Sequence, residues 1–199
     1  MEGEGKEKEW PKNLRIVKDN ILNIATQYIA HQCHCSNREA LGYAGAIFYK
    51  FPHAKDPCDR DYAHRPVPGT IAVHGDGVEK RKVINMYAQR SPGPDLRREE
   101  LGERPNWFRE CLDKIAAIPD IVSVAFPGEI GCGAAGGNWR VYWSLIRDFA
   151  ERNPGLDVIL IQHHPSCHRA ICRDESEGTH RRWVPPPRDK DPKRLHLGE

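Results

Sequence analysis

The stretch Phe126–Trp139, FPGEIGCGAAGGNW, sets glycines at 128, 131, 133, 136 and 137 and one carboxylate, Glu129, between an apolar strand and a helical stripe. Glycines in a strand-to-helix turn let main-chain N–H groups converge on one point, and the helix N-terminus adds the positive end of its dipole. That is anion-binding chemistry, with phosphate as the natural ligand. Asn138 stands where an N-cap would open the helix. The same residues would also serve a tight turn that holds nothing. A second stretch, His31–Cys35 (HQCHC), ends an apolar run of strand length, and SNREALGYAG follows with Gly42 and Gly45 near the start of another helical stripe. Two such loops at one edge of a parallel sheet would make a two-walled cleft, one wall for each phosphate of a diphosphate. His34 belongs to that cleft, and an imidazole both donates and accepts protons near neutrality.

These loops need strands and helices to hold them. Strands are expected near 13–18, over 27–35, in GTIAVHG and KVINMYAQ around a turn at Gly75–Gly77, over 121–126 and over 156–162. Ala44, Ile47, Phe48 and Phe51 make one helical stripe, stopped by Pro52. Phe108, Cys111, Leu112, Ile115 and Ile118 make a second, starting at Asn106 and ended by Pro119. Tyr142, Leu145, Ile146 and Phe149 make a third, stopped at Asn153–Gly155. Residues 53–69 read as a long surface loop, and RSPGPDLRREELGERP as a polar loop with a helical turn. Alternating strands and helices imply an α/β fold whose mostly parallel sheet is covered on both faces. Residues 1–12 read as a charged lead-in, 13–163 as one domain, and 164–199 as a tail rich in proline and charge.

At 199 residues the chain suits one domain, and its 39% hydrophobic and 29% charged composition is that of a soluble protein. A net charge of +2 argues against a large nucleic-acid footprint. No apolar run is long enough to enter a membrane and no signal-peptide pattern opens the chain, so a cytoplasmic or nuclear location is expected. Seven cysteines, an odd number at irregular spacing, read as reduced and mostly buried rather than as a disulfide framework. HHPSCHRAIC gathers His163, His164, Cys167, His168 and Cys172, which are zinc-ligand types without the spacing of a finger, and no metal is expected. Cys33 and Cys35 are expected on opposite faces of their strand, unable to share a metal.

Taken in order, DNIL (19–22), HQCHC, Gly42 leading to KFP (50–52), VINMYAQRSPG (83–93) and FPGEIGCGAAGGNW resemble the macro domain family. The likeness is to the branch of ADP-ribose 1''-phosphate phosphatase-like and phage or bacterial macro-domain proteins, and it spans residues 13–162. It implies a three-layer α/β/α sandwich around a mixed, mostly parallel sheet. It also implies a ligand, ADP-ribose or a derivative that includes an ADP-ribosylated protein, and no cofactor. Adenine would lie near Asn20 and Ile21. The diphosphate would be wrapped by Ile130, Gly131, Cys132, Gly133 and Ala134. The distal ribose would be lined by Gln32, Cys33, His34, Gly42, Tyr43 and Ala44.

The departures from that family pattern are specific. His34 replaces an Asn, Glu129 a Gly, Asn138 an Asp and Ala40 a Gly. Gln89 and Ala135 stand where one glycohydrolase branch carries its catalytic Lys and Asp, so that lysine-dependent mechanism is not expected. Three functions stay open. The chain could hydrolyse an ADP-ribose derivative at the distal ribose, either the 1''-phosphate or an ADP-ribosyl-protein, with His34, then Asn138 and Glu129, as catalytic candidates. It could read ADP-ribose or a related nucleotide without turnover. Or it could be a scaffold that acts through its tail.

Overall fold

The computed structural model describes residues 10–36, 40, 42–55, 65–93 and 98–163. The lead-in before Trp10, the middle of the 53–69 loop and the cysteine- and histidine-bearing tail lie outside the described residues. The strands are β1 (Leu14–Asp19), β2 (Tyr28–His34), β3 (Thr70–His74), β4 (Val83–Gln89), β5 (Ser123–Pro127) and β6 (Asp157–His163). The helices are α1 (Gly42–Lys50), α2 (Arg98–Ala116) and α3 (Trp139–Arg152).

One sheet takes the order β1-β6-β5-β2-β4-β3. Every neighbouring pair is parallel except β3 with β4, which run antiparallel as the short hairpin loop requires. Alternate residues of each strand feed opposite faces. On one side Tyr28, Ala30, Ile84, Met86, Val124, Phe126, Val158 and Leu160 meet α2 and α3 through Phe108, Leu112, Ile115, Tyr142, Ile146 and Phe149. On the other, Ile29, Val83, Ala125, Ile159 and Ile161 meet α1 through Ile47. The result is the expected α/β/α sandwich. Strands apolar on both faces read as continuous hydrophobic runs because neither face sees water.

This layering places a crevice. β2 runs into α1 on one face, whereas its neighbour β5 runs into α3 on the other. Adjacent parallel strands whose exits diverge to opposite faces leave a gap beyond their carboxyl ends, and ligands of open α/β sheets bind there.

Two local expectations are corrected. α2 begins at Arg98 rather than Asn106, and it carries Pro105 within it. A proline removes a helical hydrogen bond, so local propensity favours a start after it. The preceding turns are held by non-local contacts of Arg104, described below. Cys33 and Cys35 do not diverge to opposite faces. Both are buried in one small cluster with Tyr87, since residues two apart on a strand share a face.

Candidate functional site

β5 delivers the glycine loop. Gly128 N–H donates to Ile161 O at 2.7 Å, which pins the strand exit against β6. A Cβ on Gly128 would stand 2.8 Å from that same carbonyl. The loop then curls on itself: Cys132 N–H donates to Glu129 O at 2.9 Å, Gly136 N–H to Gly133 O at 2.9 Å, and Gly137 N–H to Gly131 O at 3.0 Å. The N–H groups of Gly131, Gly133, Ala134 and Ala135 make no hydrogen bond among the described residues, and Gly133 and Ala134 are exposed. A run of such amides closing on itself is a concave anion site. α3 follows directly, with Asn138 as its N-cap: the Asn138 side-chain oxygen accepts from Arg140 N–H at 3.0 Å.

The floor of this loop is aromatic and amide. Gly131 has φ +73, and a Cβ there would lie 2.5 Å from Gln32 Oε1 and 2.6 Å from the Tyr142 ring. Gln32, on β2, donates through Nε2 to Gln89 Oε1, and Gln89 donates through Nε2 to Ser91 O at 3.2 Å. The ends of β2 and β4 are thus joined under the loop by one chain of side-chain amides. Gln89 is a buried member of that chain and Ala135 a member of the loop, so neither position offers a titratable group.

His34 ends β2, paired with Gln89 across a register irregularity. Its Nδ1 lies 3.1 Å from both the Ser36 carbonyl oxygen and the Ser36 hydroxyl. A carbonyl only accepts, so this contact favours the tautomer with the proton on Nδ1 and the lone pair on Nε2. Glu129 is exposed, and its φ of +55 puts a non-glycine residue in left-handed backbone.

The remaining predicted residues surround the same sheet edge in different ways. Asn20 follows β1 and shapes a turn, its Oδ1 accepting from Leu22 N–H at 3.0 Å and its carbonyl from Ile24 N–H at 3.1 Å. Ile21 is buried in the α1-side core, and Cys33 is buried with its Sγ 3.6 Å from His31 Nδ1. Any ligand contact from either falls to the main chain. Gly42 opens α1 at φ +60 with open space where a Cβ would be. Tyr43 and Ala44 are half-buried in the first turn of that helix.

Burial pushes the Cys132 thiol up to about 12, and the nearby Glu129 carboxylate adds to this. Cys132 donates to Ile130 O at 3.3 Å instead of acting as a thiolate. Burial also pushes the Cys111 thiol and the Tyr142 phenol up to about 12. All three are neutral in the fold at pH 7. An unfolded chain ionises its thiols near 9.0 and its phenols near 10.0, so unfolding releases protons between those values and about 12. Stability from these groups is whole below pH 9 and is lost as pH rises toward 12. The melting temperature should therefore hold from neutrality to about pH 9 and then fall, with a shallower fall in Cys132→Ser and Tyr142→Phe. A flat profile up to pH 11 would contradict the burial of these groups.

Sequence reasoning missed two participants. Tyr142 reads as an ordinary helix-stripe aromatic, yet its ring is the surface on which Gly131 and Gly137 rest. Arg104 reads as one charge in a polar run, yet it is 2% exposed and donates to Ala135 O inside the glycine loop at 2.7 Å. No local pattern signals either role.

No protein-family profile matches the chain, and no curated protein sequence matches it. Solved structures do. A protein of unknown function from Bacteroides thetaiotaomicron superimposes with a TM-score of 0.63 at 22% identity, over 76% of this chain and 98% of that one. The macrodomain of Mycobacterium tuberculosis DarG gives 0.60 at 16% identity, over 76% and 97%. The Oceanobacillus iheyensis macrodomain with ADP gives 0.56 at 16% identity, over 79% and 87%. The fold is therefore that of macrodomains, as the sequence resemblance implies.

Proposed function

We propose that this chain, a macrodomain by fold, binds ADP-ribose or a derivative of it, including ADP-ribosylated protein, in the crevice between the ends of β2 and β5. One observation carries the reading: the amides of Gly131, Gly133, Ala134 and Ala135, unbonded among the described residues, form a cradle at a strand-to-helix turn. Such donors are already oriented, so a diphosphate meets them without a reorganisation cost. Adenine would then lie toward the Asn20 turn and the distal ribose toward His34 and the first turn of α1.

A second observation favours turnover at the distal ribose. His34 ends β2 at this crevice, and the Ser36 carbonyl beside Nδ1 favours the proton there. The Nε2 atom is buried in the ligand-free fold, so the step requires that it be uncovered toward the crevice; its lone pair then takes a proton from water as water oxygen bonds to the distal anomeric carbon. The bond from that carbon to its substituent breaks, and the departing oxygen receives the proton in return. The leaving group is a 1''-phosphate or a protein side chain. Asn138 contributes through the α3 cap, and Glu129 as a neighbouring charge.

Titration calorimetry of the full chain with ADP-ribose should show saturable binding, and His34→Ala should retain it. Release of phosphate from ADP-ribose 1''-phosphate, or of ADP-ribose from modified protein, should fall about 10²–10⁴-fold in His34→Ala, with an unchanged melting temperature. Binding without turnover in the wild type leaves a non-catalytic reader. Absence of binding at millimolar ligand removes the nucleotide reading and leaves the scaffold that acts through residues 164–199.

A further inference from the structure

Arg104 is the largest of the fully buried side chains among the described residues. Its Nη1 donates to Ala135 O at 2.7 Å and to Gly93 O at 3.1 Å, and its Nη2 to Ser91 O at 3.4 Å. Ser91 and Gly93 lie just past β4, and Ala135 lies in the glycine loop past β5. These two strands are not neighbours, because β2 stands between them. One guanidinium from α2 therefore ties the loop after β4 to the glycine loop after β5, across the end of β2.

The geometry at Ala135 gives this tie a consequence. A trans peptide is planar, so its C=O and N–H point in opposite directions. Fixing Ala135 O toward Arg104 turns the Gly136 N–H the other way, and that N–H closes on Gly133 O at 2.9 Å. The closed turn sets the aim of the N–H groups from Gly133 to Ala135. A buried cation is expensive to desolvate, and main-chain carbonyls are among the few groups that compensate it without neutralising it. Its positive charge also stands behind a loop that would receive an anion.

We propose that Arg104 is a positioning residue for anion recognition: it clamps the loops after β4 and β5 and sets the affinity of the glycine loop for a diphosphate without touching the ligand. The inference rests on the proposed function for its ligand, but the clamp itself can be tested without one.

Arg104→Met keeps length and removes the charge and the donors; Arg104→Lys keeps the charge but lacks the planar fork that reaches two segments. Hydrogen exchange of the ligand-free full chain should show faster exchange at the bonded loop amides Cys132, Gly136 and Gly137 in both variants, greater in Arg104→Met, with β5 and β6 unchanged. Affinity for ADP-ribose should fall about 10–100-fold in Arg104→Met, by analogy with the loss on removing an outer partner of a metal ligand. Affinity for adenosine, which carries no phosphate, should stay within about 3-fold, under 0.7 kcal/mol. Arg104→Lys should lie between the wild type and Arg104→Met, and it decides the matter if Arg104→Met does not fold. Unchanged loop exchange overturns the clamp. An equal loss of ADP-ribose and adenosine binding also overturns the proposal, since that reports general damage. If the wild type binds no ADP-ribose, the proposed function fails on its own, and loop exchange alone then upholds or rejects the clamp.

Discussion

Gly131→Ala should weaken ADP-ribose binding sharply and lower stability, while Gly133→Ala, two residues along the same loop, should do little. Gly131 sits at φ +73, and a Cβ would come within 2.5 Å of Gln32 Oε1 and 2.6 Å of Tyr142 Cε1. Left-handed backbone costs an ordinary residue about 1–2 kcal/mol, and overpacking adds about 1–3 kcal/mol. Neither neighbour can withdraw cheaply. Tyr142 is 1% exposed with its ring against Phe108 at 4.7 Å, and Gln32 is bonded to Gln89. The loop must move instead, which scatters its amides. Unfolding stability should fall by about 2–5 kcal/mol, or about 4–20 °C in melting temperature for a domain of this size. Affinity should drop roughly 100-fold, near 2.7 kcal/mol. A Cβ on Gly133 meets nothing within 4 Å, so Gly133→Ala should melt within about 2 °C of wild type. Equal losses in the two variants would mean that the loop does not rest on Tyr142 and Gln32.

Glu129→Gly should bind ADP-ribose more tightly than the wild type. Glu129 is exposed at the lip of the cradle, and its charge acts on Cys132. A carboxylate about 4 Å from a phosphate charge costs about 1 kcal/mol in water and more where water is excluded. Removing it should improve affinity about 5–10-fold at low salt, with the gain shrinking as salt screens the pair. Glycine also relieves the φ of +55, though its greater freedom in the unfolded chain offsets part of that gain. Net stability should therefore rise by no more than about 1 kcal/mol. Glu129→Gln separates the two effects, because it removes the charge and keeps the strained backbone: affinity should rise and the melting temperature should not. Turnover decides the other role considered for this carboxylate. A Glu129→Gln variant that binds tightly but loses hydrolysis would make Glu129 a catalytic group rather than a local repulsion.

Several features could be read from the chain because their physics is local. The strands of 27–35 and 121–126, the stripe Phe108–Ile115 and the stripe Tyr142–Phe149 carry the period of their own secondary structure. Asn138 as N-cap and the glycine loop as the turn it opens follow from short-range backbone chemistry. The order of these elements implied the sandwich and the sheet edge at which the loops meet. Residues that depend on what covers them were not legible. Arg104 stands in a polar run ending at a proline, where charge reads as solvated and a helix as broken. Only the packing of α2 against the β4 and β5 loops shows it buried and the helix continuing through Pro105. Tyr142 shows helical period but not that Gly131 lies on its ring. Periodicity states which face of an element avoids water. It does not state which distant segment supplies the cover, because that contact is selected by the assembled sheet and helices together and leaves no trace in the spacing of either partner.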